Sequence, residues 1–89
     1  MSEHTSHPAI VKRLKRAEGH LKSILTMLDE GRGCLDIAQQ LQAVESAIAS
    51  AKKALVHDHI DHCLEHAVRD GTRGADDTIR EFKAITKYL

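Results

Sequence analysis

From Cys34 to Asp70 the chain runs without a glycine or a proline. Inside that stretch Ile37, Leu41, Val44, Ile48, Ala51 and Leu55 recur at steps of four and three. Such steps place side chains on one stripe of an α-helix. A stripe held this strictly is a coiled-coil-like seam. An unbroken helix over these residues would be ~50 Å long at ~1.5 Å per residue. A chain of 89 residues cannot cover a helix of that length by itself. The seam therefore calls for a partner, and the same helix from a second copy is the simplest one.

Glycine and proline also bound the flanking segments. Pro8 suits the first turn of a helix, with Ser6 or His7 as its cap. From there to about Glu30, Ile10, Leu14, Ala17, Leu21, Ile24 and Leu28 form one apolar stripe. Gly19 inside it costs ~1 kcal/mol against alanine, which suggests close helix packing there. Gly31 and Gly33 close this segment, and Gly71 and Gly74 close the long one. A third helix is expected from about Ala75 to Leu89. Asp76 or Asp77 would favour its N-terminus, and Ile79, Phe82, Ile85 or Thr86, and Leu89 would form its inner face. No strand pattern, repeat or low-complexity segment is present. The expected fold class is all-α, with three helices per subunit and an antiparallel four-helix-bundle dimer. Residues 1–89 read as one domain, with 1–7 expected to be flexible.

Two cysteines are too few for a disulfide framework. No apolar run approaches the ~20 residues needed to span a bilayer, so no membrane partner is expected. Met1 to Pro8 lacks the apolar core of a secretory signal. The expected compartment is the cytoplasm, where thiols stay reduced. A net charge of zero argues against a general polyanion binder, although one face can still be basic. Lys12, Arg13, Lys15 and Arg16 make a dense basic turn. An ordinary solvated face is the alternative.

Seven histidines accompany the two cysteines. His59 and Cys63 are four residues apart, one helical turn, on one face. Cys34 opens the same long segment. If that helix is continuous, the 25 residues from Cys34 to His59 span ~38 Å. The three cannot then meet within one chain. An antiparallel partner brings Cys34 of one copy to His59 and Cys63 of the other, with the two-fold axis near Ala47 and Ile48. Two-fold symmetry then gives two equal sites per dimer. Two thiolates and an imidazole are a soft set that favours Cu(I). A structural zinc site would want a fourth ligand, for which His4, His7 and His66 are candidates. The alternative is that each cysteine is a small buried hydrophobe and that His57, His62 and His66 are solvated. His20 is expected to be structural or to face DNA.

Several stretches resemble the CsoR/RcnR family of metal-responsive repressors over nearly the whole chain. Arg13-Leu-Lys-Arg16-Ala-Glu-Gly19-His20-Leu21 resembles the family's first-helix signature. Met27-Leu-Asp-Glu-Gly-Arg-Gly-Cys34 is similar to its turn and first ligand. Gln39-Gln40-Leu41-Gln42-Ala43-Val44 and His57-Asp-His59-Ile-Asp-His-Cys63 are similar to its second-helix core and remaining ligands. The Cys34, His59, Cys63 pattern resembles the copper-responsive branch. The resemblance further implies Glu81 as a partner supporting the ligand histidine. It implies a dimer of dimers, a homotetramer, with operator DNA on a basic face. The matching positions are Arg13, Arg16 and Lys53, joined by Lys12, Lys15 and Lys52. One departure is Gly33, where many copper members carry a tyrosine.

The expected function is repression: the apo form binds operator DNA, and Cu(I) at an intersubunit Cys34, His59, Cys63 site releases it. The alternatives are a Ni(II) or Co(II) sensor using an added histidine, and a persulfide sensor bridging Cys34 and Cys63 through sulfur. A metal carrier without a DNA role conflicts with the basic turn. Enzymatic function is not expected. No nucleophile–base pair is visible, and aromatic residues make up only 2% of the chain, too few to line a substrate pocket.

Overall fold

In the computed structural model, residues 6–70 and 75–89 are described. They form three helices in the order α1 (His7–Asp29), α2 (Cys34–Asp70) and α3 (Ala75–Thr86). No strand occurs among the described residues. The long glycine-free stretch is one continuous helix with the expected limits. The expected flexibility of residues 1–7 falls largely on residues outside the described set, and His4, Gly71 and Gly74 also lie outside it. No described helix is long and apolar enough to cross a membrane.

The turn from α1 into α2 is set by backbone chemistry. Gly31 has φ +71°, a left-handed conformation that glycine adopts without a Cβ penalty. The Gly31 N–H donates to the Leu28 carbonyl at 3.1 Å, and the Arg32 N–H donates to the Met27 carbonyl at 3.0 Å. These two bonds are a Schellman motif, which satisfies the last carbonyls of a helix. The Gly33 carbonyl then accepts from Ile37 N–H at 3.1 Å, which makes Gly33 the N-cap of α2.

The chain divides into two compact units, and α2 contributes to both. In the unit Pro8–Lys52, α1 buries Ile10, Ala17 and Ile24, and α2 buries Ile37, Val44 and Ala51. Each set repeats every seven residues. Ile24, Ile37 and Val44 form its core cluster, with Met27 packed against them. The alternate members of both stripes are exposed: Leu14, Leu21 and Leu28 on α1, and Leu41 and Ile48 on α2. Half of the α2 seam is thus used inside the chain, so only the other half awaits a partner. Gly19 does not mark a close approach within the chain, because a Cβ there would meet nothing within 4 Å.

In the second unit, which includes Lys53–Leu89, Val56 and Cys63 are the buried apolar side chains of α2. α3 begins with Asp76 and Asp77 in its first turn and has Lys83 in its last, matching the helix dipole. Phe82, Ile85 and Thr86 are half-buried as expected, whereas Ile79 and Leu89 are exposed. α3 ends at Thr86, before Leu89, and Tyr88 and Leu89 continue as a turn whose N–H groups bond to Ile85 and Thr86.

Candidate metal centre

The far end of α2 and the start of α3 enclose a small cavity of about 80 Å³. His59, His62, Cys63 and His66 line it from α2, and Thr78 and Glu81 line it from α3. Helical spacing explains the α2 contribution, because residues 59, 62, 63 and 66 follow steps of three and four along one face. Thr78 and Glu81 are likewise three apart. The pocket therefore gathers one thiol, three imidazoles and one carboxylate.

The thiol is the most enclosed of these groups. Cys63 is 5% exposed, and its pKa is raised above the ordinary 9.0. The first cause is desolvation, which disfavours the thiolate. The second is the negative charge of Glu81. The His59 side chain is 24% exposed, and its Nε2 lies 3.2 Å from Glu81 Oε1. One donor atom from each of His59, Cys63 and Glu81 lies within 4.8 Å of the others. A carboxylate beside a ligand imidazole fixes its tautomer and ring orientation. This is the place given to Glu81 by resemblance, and it joins the expected ligands His59 and Cys63. Cys34, the first residue of α2, is exposed. It does not belong to this group of donors.

The sequence offers a solvated surface position as the alternative for His62, yet it is half-buried and lines the cavity. Its Nε2 is 3.8 Å from Asp58 Oδ1 and its Nδ1 is 4.0 Å from Glu65 Oε2. The signal in the sequence was the 59–62–66 stripe rather than any single pair. His66 also faces this cavity. His7 is the first residue of α1.

A second cavity of about 230 Å³ lies in the Pro8–Lys52 unit. Arg13, Arg16, Ala17 and His20 line it from α1, and Ala47 and Ser50 line it from α2. His20 Nε2 donates to Gln40 Oε1 at 2.5 Å, which ties the basic turn's helix to α2. Lys12, Lys15, Lys52 and Lys53 are exposed and do not line this cavity.

A three-helix chain with a thiol–imidazole pocket on one unit and an arginine-lined cavity on the other has the parts of a metal-responsive regulator. Comparison with known proteins identifies the family. A family model described as metal-sensitive transcriptional repressor matches residues 6–88, and the chain belongs to that family. It is 40% identical over 78 residues to the copper-sensing transcriptional repressor RicR of Mycobacterium tuberculosis, covering 88% of this chain and 81% of that one. It is 36% identical over 80 residues to the copper-sensing transcriptional repressor CsoR of Bacillus subtilis, covering 88% and 79%. Among solved structures, the nickel-responsive transcriptional regulator InrS is similar with a TM-score of 0.84 at 28% identity, covering 100% of this chain and 99% of that one. The protein is a transcriptional repressor and not an enzyme.

Proposed function

We propose that the chain is a copper-responsive repressor whose apo form holds operator DNA and whose Cu(I)-bound form releases it, in the cytoplasm. One observation carries the choice of ligands. α2 is continuous from Cys34 to Asp70, so Cys34 and His59 on one helix are ~38 Å apart. A site using Cys34, His59 and Cys63 therefore draws Cys34 from a second subunit. The donor chemistry fits the metal. Two thiolates and an imidazole bind soft Cu(I) well, and they supply the negative charge a cation must balance in a buried pocket.

Each residue then has a task. Cys63 gives up its thiol proton on binding, as any metal-bound thiolate must. Glu81 holds the His59 ring in place. The exposed apolar half-stripes on α1 and α2 supply the surface for the second copy, and two such dimers would make the tetramer. Arg13 and Arg16, with Lys12, Lys15, Lys52 and Lys53, contact DNA phosphates. Those contacts set affinity and make it salt-dependent. Linkage requires operator DNA to weaken Cu(I) binding by the factor by which Cu(I) weakens DNA binding.

A nickel or cobalt reading is supported by His62 and His66 on the cavity wall and by the likeness to InrS, with His4 or His7 as a further donor. The deciding experiment measures release of a labelled operator by Cu(I), Ni(II), Zn(II) and a sulfide donor in parallel. Release by Cu(I) at the lowest free concentration is expected, with one ion bound per subunit. Release by Ni(II) but not Cu(I) would assign the nickel role. Release by the sulfide donor alone would assign persulfide chemistry between Cys34 and Cys63.

A further inference from the structure

The copper ligand set spans two chains and leaves Glu81 outside it. Within one chain, His59 Nε2 nevertheless lies 3.2 Å from Glu81 Oε1. The donor atoms of His59, Cys63 and Glu81 all lie within 4.8 Å of one another. Ligand atoms around one tetrahedral Zn(II) stand about 3.5 Å apart, given bond lengths of ~2.0 to ~2.3 Å. Small rotamer shifts therefore bring these three onto a common centre. All three belong to the Lys53–Leu89 unit, so no second copy is required.

The chemistry of this set differs from that of the copper set. Cys63 as thiolate and Glu81 as carboxylate together carry two negative charges, which match those of a divalent cation. Imidazole, thiolate and carboxylate are all accepted by Zn(II). A carboxylate oxygen is a hard donor and suits Cu(I) poorly. The fourth position opens on the cavity lined by His62 and His66, where an imidazole or a water can close a tetrahedron.

We propose that His59, Cys63 and Glu81 form a second, single-chain ligand set for a borderline divalent cation of the Zn(II) type, with Glu81 as a direct ligand. This deepens the copper assignment, because the two sets share His59 and Cys63 and exclude each other. With Cys34 of a second copy, the pocket takes a soft monovalent ion. With Glu81, it takes a divalent one and bridges no chains. A divalent ion thus occupies the pocket without pulling the two subunits together through Cys34.

The rival role for Glu81 is positioning His59, and the two roles separate by metal. Zn(II) and Cu(I) affinities are measured by competition with chelators on the full chain, its Cys34→Ser variant and its Glu81→Gln variant. Co(II) absorption reports thiolate ligation. Cys34→Ser should lose tight Cu(I) binding yet hold one Zn(II) per chain within about threefold of the parent. Its Co(II) complex should keep the thiolate charge-transfer band, which disappears on adding Cys63→Ser. Glu81→Gln should weaken Zn(II) at least about tenfold and weaken Cu(I) much less. Glu81→Asp, which keeps the charge, should recover part of the Zn(II) affinity. The Glu81 side chain is 62% exposed, so both variants should fold, and matching far-ultraviolet dichroism checks this. Loss of Zn(II) in Cys34→Ser, or equal weakening of both metals in Glu81→Gln, would overturn the proposal. Unchanged Cu(I) affinity in Cys34→Ser would instead sink the intersubunit copper site and leave this one standing.

Discussion

Burial of one thiol gives the candidate metal centre its pH behaviour. Cys63 has its pKa raised by desolvation and by Glu81, so the folded chain holds that proton more tightly than the unfolded chain does. Between the ordinary 9.0 and the raised folded value, the native state binds more protons than the unfolded state. The slope of unfolding free energy with pH is then negative. Apo stability should be full below the ordinary thiol range and fall as pH rises through and above it. Chemical unfolding of apo protein across this range should show that fall, and Cys63→Ala should flatten it. An identical decline in Cys63→Ala would place its origin elsewhere. Metal affinity should move the other way and strengthen with pH, because the ion competes with the proton. His59 has a different assignment, that of coupling. His59→Ala should keep much of its Cu(I) through two thiolates but release operator DNA poorly. Normal release by that variant would mean that the cysteines alone carry the signal. Cys63 and His59 were legible as a pair because one helical turn separates them. Glu81 sits on another helix, and no spacing rule reaches from one helix to the next. Only family resemblance pointed to it before the 3.2 Å contact did.

Among the elements, α2 was the most legible, since its Cys34 and Asp70 ends fall beside glycines that the sequence displays. Stripe membership on α1 and α2 was also plain. Which half of each stripe is covered inside the chain was not, because periodicity names a face without naming its neighbour. The same blindness explains Ile79 and Leu89, which share the expected α3 face and are exposed. Gly19 shows the converse. Its helical position implied crowding, but open space surrounds its missing Cβ. Gly19→Ala should therefore raise stability, by up to ~1 kcal/mol, as read from urea unfolding midpoints. Destabilisation would mean that another molecule, a second copy or DNA, approaches α1 there. The basic turn of α1 carries its own test. If Arg13 meets a phosphate, Arg13→Ala should weaken operator binding and reduce the salt slope by about one. Cu(I) affinity should barely move. Unaltered DNA binding in both Arg13→Ala and Arg16→Ala would remove this face from the DNA interface.

At the scale of the whole molecule, the proposed copper site requires two chains. The exposed residues Leu14, Leu21, Leu28, Leu41 and Ile48 are an apolar cost to a monomer in water. An antiparallel second copy would cover them and reverse the order of α2, so that Cys34 meets His59 and Cys63. A mixed dimer tests this directly, with Cys34→Ala in one subunit and Cys63→Ala in the other. One of its two shared sites loses both cysteines. The other takes Cys34 from the Cys63→Ala subunit, and His59 with Cys63 from its partner, so it is complete. Either variant alone forms homodimers with damaged sites only. A site within a single chain would need α2 to break and fold back, and then no chain in the mixture holds all three ligands. The purified mixed dimer, titrated with Cu(I) against a competing chelator, should show one tight site per dimer where each homodimer shows none. The single-chain Zn(II) set does not confuse the result, because it uses Glu81 in place of Cys34 and the chelator is chosen for Cu(I). A mixed dimer without any tight Cu(I) site would remove the antiparallel pairing and, with it, Cys34 from the copper ligands.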